Sequence, residues 1–197
     1  MPGRVRNKII FIFCEGKENK TERSYFESLR QEKRLSNYKI KVKHKTGQAD
    51  PEGLVKYAKS LVITKEIDFK LGDLAWCVFD ADNNTQKQLD KAKKAAGKNI
   101  QLFLSNPSFE LWYLLHFELY KDSINNPDLV KKLENYIPNY EKNKCYYHKV
   151  LNRQVDAINN AKALESMHTD NNIDLFSRKS NPSTQIYEII EKIEKLI

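Results

Sequence analysis

The chain has only six glycines, six prolines and three cysteines in 197 residues. So little glycine and proline excludes collagen-like and low-complexity chains. The cysteines, Cys14, Cys77 and Cys145, are odd in number and far apart. That argues against a disulfide-stapled secreted scaffold, and without a CxxC pair there is no sign of a structural zinc site. Cys145 and His148 have ligand-like spacing but lack the other ligands of a tetrahedral site. Long apolar runs are also missing. The longest, residues 9–14, ends at Glu15, far short of the ~20 residues of a membrane span and too short for the apolar part of a signal peptide. No GxxxxGK[ST] loop occurs, so ATP hydrolysis must come from another chain. A cytoplasmic protein without membrane contact is the expectation.

What is present is a globular composition: 40% hydrophobic, 30% charged and 11% aromatic residues. That is enough apolar mass for a core and excludes general disorder. The formal net charge is +8, and its distribution is uneven. Residues 1–50 carry 13 Lys and Arg against 6 Asp and Glu, while the later quarters nearly balance. A localised basic face suits a polyanionic partner, and equally suits a soluble chain kept apart by its lysines.

Residues 9–14, 74–79 and 100–104 are short, nearly continuous apolar runs rich in β-branched and aromatic side chains. Strands apolar on both faces belong in the middle of a parallel sheet covered by helices on each side. Residues 38–45 instead alternate strictly, placing Lys39, Lys41, Lys43 and Lys45 on one face, as on an edge strand. Helical spacing is predicted over 21–33, 54–63 and 86–96, the last ending at Gly97 as a left-handed cap. Alternating strands and helices predict an α/β core over residues 1–120. Residues 121–197 read as a helical extension packed on it, with helices at 128–136, 149–167 and 183–197. In the last, Ile186, Ile189, Ile190 and Ile193 form an amphipathic stripe that reads as core packing. The tetrad Ser-Asn-Pro-Ser occurs at 105–108 and 180–183, and is predicted to start a helix each time.

The strongest chemical signal is acidic. Glu15 and Gly16 follow the first strand, and Asp80 and Asp82 close a later one. Residues two apart in extended chain share a side, and ligands of open parallel sheets bind beyond the carboxyl ends of the strands. Glu15, Asp80 and Asp82 are therefore candidates to converge on Mg²⁺, which prefers hard oxygen ligands. The bland reading of Asp80, Asp82, Asn83 and Asn84 is a turn capping the next helix.

These segments resemble known families. Cys14-Glu15-Gly16 with Thr21-Glu22 and Tyr25-Phe26, then Phe79-Asp80-Ala81-Asp82, is similar to a Toprim domain. The stretch Ser-Asn-Pro-Ser-Phe-Glu-Leu-Trp-Tyr-Leu-Leu-His-Phe at 105–117, with Asn181-Pro182-Ser183-Thr184, resembles the RloB-like family, which includes the second component of the AbiL abortive-infection system. The resemblance spans residues 8 to about 190.

The resemblance implies a Toprim-like, mostly parallel sheet flanked by helices. It implies an Mg²⁺- or Mn²⁺-dependent nuclease acting on RNA (tRNA among the candidates) or DNA, the effector of a bacterial anti-phage system with an ATPase encoded nearby. Carried over, Glu15, Asp80 and Asp82 match the Toprim metal set, and Glu22 matches the second glutamate of related nucleases. The spacer 17–20 is longer and more charged than the compact EGxTE of many relatives. Glu110 belongs to the family motif and is a candidate catalytic or metal-binding group. His116 and Lys142, the latter in a YxK match, are candidate nucleic-acid contacts beside the 39–45 lysine row. The competing expectation is a non-catalytic nucleic-acid- or partner-binding regulator of the ATPase. Oligomeric state has no sequence signature here.

Overall fold

The computed structural model describes residues 6–15, 21–33, 35–44 and 50–197. The three apolar runs are its central strands: β1 (Lys8–Cys14), β3 (Leu74–Asp80) and β4 (Ile100–Asn106). With β2 (Tyr38–His44) and β5 (Ser183–Thr184) they form one sheet in the order β2-β1-β3-β4-β5. The first four strands are parallel, and β5 runs antiparallel to β4. The fold is the expected α/β class, with helices over both faces.

Side-chain alternation divides the core. One face presents Ile10, Ile12, Trp76, Val78 and Phe103; the other presents Ile9, Phe11, Phe13, Ala75, Cys77 and Phe79. The second face is covered by α2 (Pro51–Ile63), through Leu54, Val55 and Ala58, and by α3 (Gln86–Ala96), through Leu89, Ala92 and Ala96. Local chemistry fixes where these helices start. Asp50 accepts from the Gly53 amide at 2.7 Å and precedes Pro51, while Thr85 and Gln88 form a reciprocal capping box. Gly97 ends α3 with φ +65° and ψ −143°, a mirror-image extended turn rather than the left-handed helical cap predicted.

The first face is buried by α1 (Thr21–Glu32), α4 (Glu110–Leu115), α5 (Asn126–Glu134), α6 (Tyr147–Val150), α7 (Gln154–Asp170) and α8 (Ile186–Glu194). α5 begins before the predicted 128 because Asn125 caps it, accepting from the Asp128 amide at 2.9 Å. Ile186, Ile189, Ile190 and Ile193 are fully buried in the same cluster as Ile10 and Trp76. The segment after residue 120 thus packs on the sheet and also supplies its last strand. No helix among the described residues is long and apolar enough to cross a membrane.

The Ser-Asn-Pro-Ser tetrads correct an expectation, because neither starts a helix. They bring β4 and β5 together, with Ser105 opposite Thr184 and Asn106 opposite Ser183. The Asn106 amide donates to the carbonyls of Ser177 and Arg178, both at 3.1 Å. Asn181 pairs with the Ile124 main chain in both directions, at 2.9 and 2.8 Å. An asparagine amide carries both donor and acceptor, so it can imitate a strand neighbour as readily as cap a helix.

Candidate metal centre

β1 and β3 are adjacent and parallel, with Cys14 opposite Val78, so Glu15 and Asp80 emerge at the same end of the sheet. The first turns of α1 and α4 arrive there too, carrying Glu22 and Glu110. Both glutamates are buried, 4% and 2% exposed. Burial pushes the Asp80 carboxyl well above the usual range, and the charges of Glu22, Glu110, Asp82 and Glu15 push it further. One aspartate therefore feels four other carboxylates at the carboxyl end of the sheet.

Hydrogen bonds hold most of this set. The Phe109 amide donates to Asp80 Oδ1 at 2.9 Å. Asn84 Nδ2 donates to both Glu15 oxygens, at 3.2 and 3.1 Å, and to the Asp80 carbonyl at 2.7 Å. Glu110 accepts from Ser108 Oγ at 2.7 Å, Tyr140 OH at 3.0 Å and Thr21 Oγ1 at 3.3 Å. Burial and the Glu110 charge raise the Tyr140 phenol far above its ordinary value, so it stays a donor. Lys142 Nζ lies 3.8 Å from Glu110 Oε2 and is half exposed. The Tyr-Glu-Lys segment thus reaches the acidic cluster through both its tyrosine and its lysine.

Asp82 departs from the expected geometry. β3 ends at Asp80, and the chain then turns, with the Ala81 amide bonded to Ser105 O and the Asp82 amide to Pro107 O. The period-two argument stops with the strand. Asp82 Oδ1 takes the Asn83 amide at 2.7 Å, and Oδ2 takes Asn126 Nδ2 in a very short contact. The turn itself forms, with the Asn84 amide on Ala81 O, but the capping half of that reading is corrected, because Thr85 caps α3. Among the described residues, no group of three or more His, Cys, Asp or Glu is arranged to hold a metal ion. The donor chemistry suits a hard cation, but the carboxylates are held by amide and hydroxyl donors rather than preset as a cage. The site has to re-aim its oxygens to take an ion.

The remaining candidates lie elsewhere. His116 is 1% exposed, its Nδ1 2.8 Å from Trp112 O and its ring against Trp112. Burial lowers its pKa to about 4, so it is a neutral core residue and reaches no phosphate in this fold. Lys39 and Lys41 are exposed on edge strand β2, with the Lys41 ammonium over the Phe11 ring. Lys43 is paired with Glu66 at 2.8 Å. Lys45 and Gly16 lie outside the described residues. Sequence reading missed Asn84, Thr21, Ser108 and Asn126 as partners of the acidic groups. Asn84 lies two residues after the Asp-Ala-Asp segment, Thr21 adjoins Glu22 and Ser108 stands two residues before Glu110, which were the available clues; Asn126 lies 44 residues from Asp82 and left none.

Comparison with curated proteins and with solved structures found no match. The model of the RloB-like protein family matches residues 10–193, nearly the whole chain, and the protein belongs to that family.

Proposed function

We propose that this RloB-like protein is a divalent-metal-dependent nuclease of Toprim type. The observation that carries the reading is Asp80, a carboxylate at the end of β3 that feels its own burial and the charges of four others. Such a cluster opposes folding on its own and is relieved by a cation. Glu15, Glu22, Asp80 and, after release from Asn126, Asp82 would hold Mg²⁺ or Mn²⁺. A bound ion supplies charge neutralisation at a phosphodiester and a water of lowered pKa. Thr21, Ser108 and Tyr140 fix Glu110 beside this set. Lys142 presents an ammonium at the same place, able to pair with an incoming phosphate. Exposed Lys39 and Lys41 extend the basic surface along β2. The anti-phage role and the ATPase partner rest on the family resemblance.

One observation favours a second reading, a non-catalytic nucleic-acid- or partner-binding regulator of that ATPase. It is that no described set of side chains is arranged as a metal cage. Purified protein incubated with total RNA and with plasmid, in Mg²⁺ or in EDTA, separates the two. The nuclease reading predicts cleavage only with Mg²⁺, reduced about 100-fold or more in Asp80→Asn with nucleic-acid binding retained. No cleavage of either substrate, with defence intact in Asp80→Asn cells, establishes the regulator instead.

A further inference from the structure

The turn after β3 carries a buried amide that reaches two strand ends at once. Asn84 is 4% exposed, and its main-chain N–H closes the turn on Ala81 O at 3.2 Å. Its side-chain Nδ2 donates to Asp80 O at 2.7 Å and to the two Glu15 oxygens at 3.2 and 3.1 Å. The short bond anchors the amide on main chain, and the near-equal longer pair centres the Glu15 carboxylate on the same nitrogen. Glu15 follows β1 in sequence, yet its side chain is tied to the end of β3. Asparagine suits this place, because it donates hydrogen bonds without adding charge. Five carboxylates act on one another here. A lysine in its position would compete with an incoming cation, and an aspartate would add repulsion.

The turn is in turn clamped by a distant segment. Arg178 Nη1 donates to the carbonyls of Ala81 and Asn84, at 3.3 and 2.5 Å. Arg178 lies at the surface, but its main chain is fixed on both sides. Its N–H donates to Gln86 Oε1 at 2.9 Å, and its carbonyl accepts from the Asn106 amide at 3.1 Å. A continuous path of hydrogen bonds therefore runs from β4 through Arg178 and the turn to Asn84, and ends on Glu15.

We infer that Asn84 is a positioning residue of the acidic centre: it aims Glu15 towards the Asp80 end of the site, and Arg178 keeps it there. What Glu15 is aimed at rests on the metal reading; the hydrogen bonds do not. A carboxylate oxygen can accept from an amide and bind a cation at the same time. Asp82 has to leave Asn126 to meet an ion, whereas Glu15 can keep its partner. Without Asn84 the ion itself would have to order the Glu15 side chain, which weakens its binding.

The test uses the full chain. In EDTA, the Asn84 side-chain amide NMR signals are assigned by their loss in Asn84→Ala and then followed in Glu15→Gln and in Arg178→Ala. Both substitutions should displace them, the first by removing a charged acceptor and the second by unclamping the turn. Mn²⁺ affinity is then read from the EPR signal of the free ion, with every variant kept below its melting transition. Asn84→Ala should bind about tenfold or more weakly than the wild type. Arg178→Ala, which touches no carboxylate, should lose a smaller factor, and Arg178→Lys, still able to donate to both carbonyls, should recover it. The inference is overturned if the Asn84 signals ignore either substitution, or if Asn84→Ala binds Mn²⁺ like the wild type. Wild-type protein that takes up no Mn²⁺ while the signals move as expected removes the metal reading and keeps the hold on Glu15. Equal Mn²⁺ binding by wild type and Asn84→Ala does the reverse.

Discussion

Two aspartates flank the same strand and are treated in opposite ways. Asp73, just before β3, is 2% exposed and receives both guanidinium nitrogens of Arg6, at 3.1 and 2.9 Å. The amides of Ile9 and Asp68 also donate to it, at 2.8 and 2.9 Å. Burial works against its charge, but Arg6 and the two amides outweigh it and hold the carboxyl below the usual range. Asp80, seven residues on at the far end of β3, is pushed upward by burial and by four carboxylates. The lesson is that β3 is anchored at one end by a satisfied charge and carries an unsatisfied one at the other. The first end serves the fold; the second opposes it and makes sense as a place for an added cation.

The largest effect that would break this contrast is at the anchored end. Asp73→Ala leaves two amides without their acceptor and frees the largely exposed Arg6 to water, and should cost about 2–4 kcal/mol. In thermal denaturation this is a melting temperature lower by roughly 10 °C, with Mg²⁺ binding unaffected. The wild-type advantage is present above the ordinary carboxylate range and should vanish as pH falls through the lowered value. Equal stability of the variant at neutral pH would remove Asp73 as an anchor.

Buried His116 sharpens the contrast by having no acidic partner at hydrogen-bond distance among the described residues. Its folded pKa of about 4 lies below the unfolded value near 6.5. The unfolded chain therefore takes up the proton first, and stability should fall from about pH 6.5 towards 4, by roughly 1 kcal/mol per pH unit. His116→Gln should flatten that part of a urea-denaturation profile against pH. An identical slope in both proteins would place the acid sensitivity elsewhere.

At the other end of β3 the sign reverses. Asp80→Asn, melted in EDTA at neutral pH, should be about 1 kcal/mol more stable than wild type, roughly 2–4 °C. The Phe109 amide can still donate to the asparagine oxygen. Wild-type stability should decline as pH rises from the carboxylate range towards the raised value, because the folded state holds the proton more tightly; Asp80→Asn should not decline. A destabilised variant would mean that Asp80 is structural, like Asp73.

The smallest effect concerns the basic edge. Lys39→Gln with Lys41→Gln should reduce the slope of log affinity against log salt by about 1–2 for single-stranded RNA, measured by fluorescence anisotropy. Lys43 is omitted because Glu66 already holds it. An unchanged slope would assign these lysines to keeping the β2 edge soluble.

The same contrast explains what was legible in the sequence. β1, β3 and β4 were readable because a strand buried on both faces has to be apolar throughout, and β2 because an edge strand alternates. Glu15 and Asp80 followed from where those strands end. The geometric argument for Asp82 failed because strand periodicity was extended past the end of β3, into a turn set by Ser105 and Pro107. The six-residue α4 and two-residue β5 are too short to carry a period, and β5 pairs with β4 where the Asn106 amide reaches the distant Ser177 carbonyl. The Asp73 anchor gave no signal, since its partners lie 67, 64 and 5 residues away. Pairings across such distances appear only when the chain has folded.

The central claim, that the crowded carboxylates around Asp80 await a divalent ion, is met most directly by calorimetric titration of Mg²⁺ and Mn²⁺ into the apo wild type and into Asp80→Asn. Saturable binding to the wild type, accompanied by a higher melting temperature and lost in the variant, is the predicted result. Wild-type protein that binds neither ion, or a variant that binds both equally well, would contradict it.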